Sequence, residues 1–208
     1  MKYMIAVPCM DMVHTLFFAS VAGMHRPEGT EIAVCSSSLV YDARNKLAHK
    51  AVSEGFDRVL WLDSDMRFAP DLMDRLDADL EDGRDIVSAF YFTRKNPVHP
   101  CIFRKCSMVG NTPTVTPVEG WPRDSVFDVA AVGFGAVMMR VDLLRLVHAT
   151  FGRPFSPMDG FGEDLSFCLR VRQLGKQIWC DPRIMVDHVG LTIINEQTYL
   201  QQKGGGRP

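Results

Sequence analysis

The chain carries 208 residues, 47% of them hydrophobic and 23% charged, a balance that suits one folded domain with a sizeable core and argues against disorder, a fibre or two independent domains. A formal net charge of −2 supplies no long-range pull toward nucleic acid or anionic lipid. No apolar run is long enough to cross a bilayer, and the first residues enter a strand-like segment without a signal-peptide pattern, so cytoplasmic residence is the expectation.

Tyr3 to Val7 reads as the first strand. A helix follows, with Asp11 placed to cap it and an apolar stripe of Val13, Leu16, Phe17, Val21 and Met24. Glu31 to Cys35 is the second strand, and a helix from about Leu39 to Glu54 is closed by Gly55. On this helix Val40, Ala43, Leu47 and Ala51 mark the buried stripe, and the four-residue step from Val40 carries Arg44 into it. An inward guanidinium needs an anion, either a protein carboxylate or a phosphate oxygen. Snorkelling of its long stem to solvent is the competing reading. Asn45, beside it, is a further polar contact for a ligand.

The segment Val59-Leu60-Trp61-Leu62-Asp63-Ser64-Asp65 is the most informative in the chain. An apolar run without alternation suits a strand covered on both faces, and ligands of open parallel sheets gather at the carboxyl ends of the strands. In an extended chain Asp63 and Asp65 share a side, where two carboxylates repel unless a cation or a proton intervenes. Oxygen ligands suit a hard divalent ion, Mg²⁺ or Mn²⁺. A solvated acidic turn, with Asp63 or Asp65 capping the next helix, is the plainer alternative. Pro70 then opens a helix rich in Asp and Leu, and Asp85 to Phe92 supplies a fourth strand. Strands alternating with helices predict an α/β fold whose central sheet is mainly parallel, flanked by helices and joined by right-handed crossovers.

Beyond Phe92 the texture changes. Asn96 to Trp121 holds Pro97, Pro100, Pro113 and Pro117 and reads as loop with short extended pieces, placed to serve as a lid or acceptor platform. Val126 to Val132 and Ala136 to Val141 read as strands on either side of Gly133-Phe134-Gly135, where missing side chains permit close approach to a ligand or else a bulge or hairpin turn. Asp142 to Ala149 is a short helix. Phe161 to Gly175 is helical by pattern, with Phe167, Cys168, Val171 and Leu174 on one face. Asp164 lies one turn earlier on the inward flank, which suits a general base at the mouth of a cleft, or ordinary acidic placement at a helix N-terminus. His188 ends an apolar-leaning stretch that starts at Arg183, and taken alone it reads as a structural histidine ahead of a metal ligand. The terminal Gly204-Gly205-Gly206-Arg207-Pro208 looks disordered.

The six cysteines are scattered, mostly in apolar surroundings, as reduced core residues are. His99, Cys101 and Cys106 have a loose zinc-like spacing, but no fourth ligand is evident and Pro100 stiffens the segment, so ordinary packing is preferred to structural zinc.

Taken in order, the buried strand running into Asp63-Ser64-Asp65, the Gly-Phe-Gly segment, Gly162-Glu163-Asp164 opening a helix with Leu169-Arg170 downstream, and His188 resemble the GT-A fold glycosyltransferases. The likeness is to the small proteins similar to family two, and it spans roughly Tyr3 to Gly190. It implies a Rossmann-like domain over 1–190, with a nucleotide-binding half at 1–92, an acceptor and catalytic half at 93–190 carrying a smaller sheet, and a tail at 191–208. It also implies a divalent metal, Mn²⁺ or Mg²⁺, held mainly by Asp65, with Asp63 on the metal or on ribose and His188 as a further ligand. Asp164, with Glu163 beside it, is then the base of an inverting displacement. Pro8, Arg44, Asn45, Ser64, Gly133 and Gly135 complete the expected contacts to a nucleotide-diphosphate sugar, a UDP-sugar being favoured, and a hydroxyl-bearing molecule is the acceptor. The Gln-x-x-Arg-Trp pattern of processive synthases is absent, which points to a single transfer.

Two other readings compete. A phosphohydrolase of the haloacid dehalogenase type also sets two aspartates after an apolar strand, but it expects Thr or Val after the second, where Met66 stands. A nucleotidyltransferase needs a Gly-rich phosphate loop with a basic residue after the first strand, and Pro8-Cys9-Met10-Asp11 offers none. From another class, a nucleotide-sugar-binding module without turnover shares the same acidic pair.

Overall fold

The computed structural model describes residues 1–110, 112–158, 160–190 and 194–204. Its first half alternates strand and helix: β1 (Tyr3–Cys9), α1 (Thr15–Gly23), β2 (Glu31–Ser36), α2 (Val40–Ser53) and β3 (Arg58–Leu62). A short strand β4 (Met66–Arg67), α3 (Leu72–Glu81) and β5 (Ile86–Phe90) follow. The second half begins with β6 (Ile102–Val109), β7 (Thr112–Pro117), β8 (Phe127–Val129), β9 (Ala131–Val132) and β10 (Ala136–Arg140). It ends with α4 (Val141–Phe151), α5 (Glu163–Gln173), β11 (Ile178–Met185), β12 (Asp187–His188) and α6 (Glu196–Gly204).

Seven strands make the central sheet, in the order β2-β1-β3-β10-β5-β11-β8. β1 pairs in parallel with β2 and β3, and β5 with β11, while β10 lies antiparallel between β3 and β5 and β8 runs antiparallel at one edge. The sheet is mainly parallel, as the alternation of elements predicts, apart from these two strands. Side chains alternate across it. Met4 and Ala6 join Val59, Trp61, Leu47, Leu144 and Phe167 in the core under α2, α4 and α5, while Ile5, Val7, Leu60 and Leu62 join Phe17 and Leu76 under α1 and α3. Covered on both faces, β3 and β5 are buried along their whole length.

Several local expectations are corrected. His14 caps α1 in place of Asp11, its Nδ1 accepting from the Leu16 N–H at 3.1 Å. The α1 stripe is also looser than expected: Phe17 and Met24 are buried, but Val13 is exposed. The proline-bearing stretch is not mostly loop, because β6 and β7 form an antiparallel hairpin that pairs with β9 in a three-stranded sheet. Prolines fit β7 because, among the described residues, it is an edge strand bonded only to β6. The single strand expected over Val126 to Val132 divides, β8 joining the central sheet and β9 the hairpin sheet.

The segment expected to be a tail contributes α6, whose Tyr199 is buried and stacks on Phe92 with ring centroids 4.9 Å apart. Of Gly204 to Pro208, expected to be disordered, Gly204 instead ends α6, and 205–208 fall outside the described residues. All six cysteines are free thiols. Among the described residues no helix is long and apolar enough to cross a membrane.

Candidate active site

The carboxyl ends of β1, β3 and β5 and the N-terminus of α5 open on one cleft of about 660 Å³. Pro8, Arg44, Asp63, Ser64, Asp65, Glu163, Asp164 and His188 all line it. A crevice at strand carboxyl ends is where an open α/β sheet binds ligands.

A two-residue ladder brings the metal-type groups together. β4 runs directly out of the acidic loop and pairs with β12, setting Arg67 opposite Asp187 and Met66 opposite His188. Arg67 Nε donates to Asp187 Oδ2 at 2.8 Å, and the Val189 N–H donates to the Asp65 carbonyl at 2.8 Å. His188 Nε2 consequently stands 3.4 Å from Asp65 Oδ2, while its Nδ1 meets the Phe92 carbonyl at 3.1 Å. A proton on Nδ1 satisfies that carbonyl and leaves a lone pair on Nε2 facing the carboxylate. Two acceptors face to face call for a cation or a proton between them. Burial works against the Asp65 carboxylate, but with a proton on His188 Nε2 the hydrogen bond and charge of His188, together with the charge of Arg94, outweigh it and hold the Asp65 pKa below the usual value.

Arg44 answers the question its helical position raised. Its side chain is only 2% exposed, with the guanidinium 5.2 to 6.0 Å from the ring centroids of Trp61, Phe134 and Phe155. Nη2 donates to Asp63 Oδ1 at 2.7 Å and Nε to Glu163 Oε1 at 3.3 Å. The required anions are therefore protein carboxylates, one from the end of β3 and one from the start of α5. Burial raises the Asp63 pKa against the pull of Arg44.

Asp164 sits in the first turn of α5 but is not a solvated helix-end acid. Its Oδ1 accepts the Leu165 N–H at 2.7 Å, and a Cβ at Gly162 would lie 3.1 Å from that oxygen. Burial, then the charge of Glu163, pushes its pKa up to about 6. A carboxyl that titrates there can accept a proton near neutral pH, as a general base must.

Three expected contacts are placed differently. Asn45 points away from the cleft, its Nδ2 donating to the Tyr41 carbonyl at 2.8 Å and its Oδ1 accepting the Phe155 N–H at 3.0 Å. Gly133 and Gly135 lack side chains because Tyr91 fills the space. A Cβ at Gly133 would collide with the Tyr91 hydroxyl, one at Gly135 would lie 2.8 Å from its ring, and the Gly135 N–H donates to the phenol oxygen at 3.0 Å. Phe134, between them, lines the cleft instead. The sequence reading also passed over Tyr91, Arg94 and Lys95, which line the cleft. Arg94-Lys95 follows the fourth strand directly, so the carboxyl-end rule contained the signal.

No family model and no curated protein matches the sequence. Solved structures do match the fold. The chain aligns with A197 from STIV at TM-score 0.67 and 15% identity, covering 94% of both chains. GalNAc-T7, solved with UDP, GalNAc and Mn²⁺, aligns at TM-score 0.64 and 10% identity over 96% of this chain and 47% of its own. S. aureus TarS 1-349 aligns at TM-score 0.54 and 14% identity over 87% of this chain and 58% of its own. The chain has the GT-A fold. It spans about half the length of the GalNAc-T7 and TarS chains.

The resemblance implies a divalent metal, and GalNAc-T7 was solved with Mn²⁺, so the cleft's donor groups bear on whether one fits. Among the described residues no three or more His, Cys, Asp or Glu side chains are placed to hold a metal ion by themselves. Asp63 is already engaged by Arg44. Asp65, ion-paired to the more exposed Arg94, and His188, its tautomer set by Phe92, are the remaining candidates. Two such groups fit a cation of the Mg²⁺ or Mn²⁺ type that completes its shell with phosphate oxygens and water, the usual arrangement where phosphates are substrates.

Proposed function

We propose that this protein is a glycosyltransferase that moves a sugar from a nucleotide-diphosphate sugar, most simply a UDP-sugar, to a hydroxyl acceptor by a single inverting displacement. The opening of Asp65, His188 and Asp164 onto one cleft at the strand carboxyl ends carries this reading. The GT-A fold supports it, as does a structural neighbour solved with UDP, GalNAc and Mn²⁺. Kinship with small family two-like proteins rests on the order of motifs.

Asp65 and His188 would hold the metal, Mn²⁺ or Mg²⁺, and a cation bound there neutralises charge on the departing diphosphate. Asp63, tied to Arg44, fixes the end of β3 and lies within reach of the nucleotide. Pro8 and Ser64 border the same pocket. Asp164 takes the proton of the acceptor hydroxyl as the new C–O bond forms and the bond to the diphosphate breaks. Glu163, beside Asp164, raises the pKa of that carboxyl and so acts through it. Arg44 joins Asp63 to Glu163 and so couples the donor side of the cleft to the helix carrying the base.

A panel of nucleotide-sugars with Mn²⁺ tests this reading: one donor should release free nucleotide slowly, and UDP should raise the melting temperature only when metal is present. Asp65→Ala should abolish that metal-linked stabilisation. Stabilisation without turnover for any donor would favour a binding module, and phosphate release from simple phosphoesters would favour the hydrolase.

A further inference from the structure

Arg94 stands on the segment between β5 and β6, where the Thr93 N–H donates to the His99 carbonyl at 2.8 Å and the His99 N–H donates to Thr93 Oγ1 at 3.1 Å. Its Nη2 lies 2.8 Å from Asp65 Oδ2, the same carboxylate oxygen that His188 Nε2 approaches at 3.4 Å. Its Nη1 donates to the Val189 carbonyl at 3.0 Å. One guanidinium thereby bridges the two chain segments that the metal site is built from. Unlike Arg44, which is sealed among aromatic rings, Arg94 is 46% exposed. Lys95, next in the chain, lines the same cleft.

The oxygen best placed for a divalent ion is thus already taken by a cation of the protein itself. A guanidinium and a dication at the same carboxylate oxygen repel each other, so the ion can settle only if Arg94 leaves. A charge released in this way needs a new anion, and the diphosphate that enters with the ion brings one of the geometry an arginine fork prefers. With 46% of its side chain exposed, Arg94 has open space to turn into once Asp65 releases it.

Resting on the transferase reading above, we propose that Arg94 is an exchangeable counter-charge. It closes Asp65 in the empty protein, and it passes to the diphosphate when metal and nucleotide bind together. Metal alone then binds weakly because it must evict Arg94 with nothing to receive it, whereas metal and nucleotide bind cooperatively because the displaced guanidinium gains a partner.

Free Mn²⁺, followed by its electron paramagnetic resonance signal in titrations with and without UDP, reads this directly. Relative to the wild type, Arg94→Ala should bind Mn²⁺ alone about fivefold tighter or more, and the gain in Mn²⁺ affinity on adding UDP should shrink by a similar factor. Arg94→Gln, which keeps much of the stem but no charge, should behave in the same way. Mn²⁺ affinity unchanged in both variants, or a UDP-dependent gain equal to that of the wild type, overturns the proposal. If instead Asp65→Ala bound Mn²⁺ and UDP as tightly as the wild type, the transferase site itself would fall, whatever Arg94 does.

Discussion

Half-buried and set beside Glu163, the Asp164 carboxyl holds its proton up to about pH 6, whereas in the unfolded chain it releases it near 4. The folded form therefore binds the proton more tightly. Between these values stability falls as pH rises, and above about 6 a penalty of at most about 3 kcal/mol persists. Asp164→Asn removes the charge and keeps the acceptor for the Leu165 N–H. Scanning calorimetry should find the variant more stable than the wild type at pH 8 and indistinguishable at pH 3. The same titration sets activity: wild-type transfer should decline below about pH 6, and Asp164→Asn should lose at least about a hundredfold in rate while keeping metal-dependent UDP binding. Normal transfer by the variant would rule the base out. Asp63 and Asp65 were legible because an unbroken apolar run leads into them, and Arg44 because it falls on a buried helical stripe. Tyr91 is hidden inside an apolar run, and Arg94 is a half-exposed cation outside any periodic element, so neither announced itself.

Between residues and fold, the β4–β12 ladder positions His188, which β12 itself carries, through pairing with a strand that runs out of the acidic loop. Arg67 is 42% exposed, so breaking its pair with Asp187 by Arg67→Ala should cost less than about 1 kcal/mol in a urea titration. Loosening the ladder should nevertheless weaken Mn²⁺ affinity in the presence of UDP by about tenfold, the scale on which supports of metal ligands act. An unchanged Mn²⁺ affinity would show that the register of the ladder does not matter. Elements of this kind escape a reading from sequence, because a two-residue strand has no measurable period. The β6–β7 hairpin escaped for another reason: its prolines signal loop, and only the edge position of β7 makes them tolerable. The insertion of β10 against its neighbours was hidden because apolar alternation carries no strand direction.

For the whole molecule, the α/β alternation in the first half was enough to predict a mainly parallel sheet, since buried strands and amphipathic helices leave few other ways to close a core. The role of α6 was not legible. It is polar except for Tyr199 and Leu200, and its attachment depends on Phe92 and Trp121, which come from distant segments. Gln202 also ties it down, its Oε1 accepting the Val98 N–H at 2.9 Å. A chain ending at Asn195 should therefore lose roughly 1 to 3 kcal/mol of stability, read as a lower urea midpoint. An unaltered midpoint would mean that the helix does not hold to the body. Arg67 and Asp187, which close the ladder beside the acidic loop, lie 120 positions apart in the chain. Contacts of such long range form late, after the loops between them have been ordered. During synthesis His188 reaches Asp65 only after the intervening stretch, about as long as the 120 positions between Arg67 and Asp187, has been added, so a product terminated within it carries the acidic loop without its histidine partner.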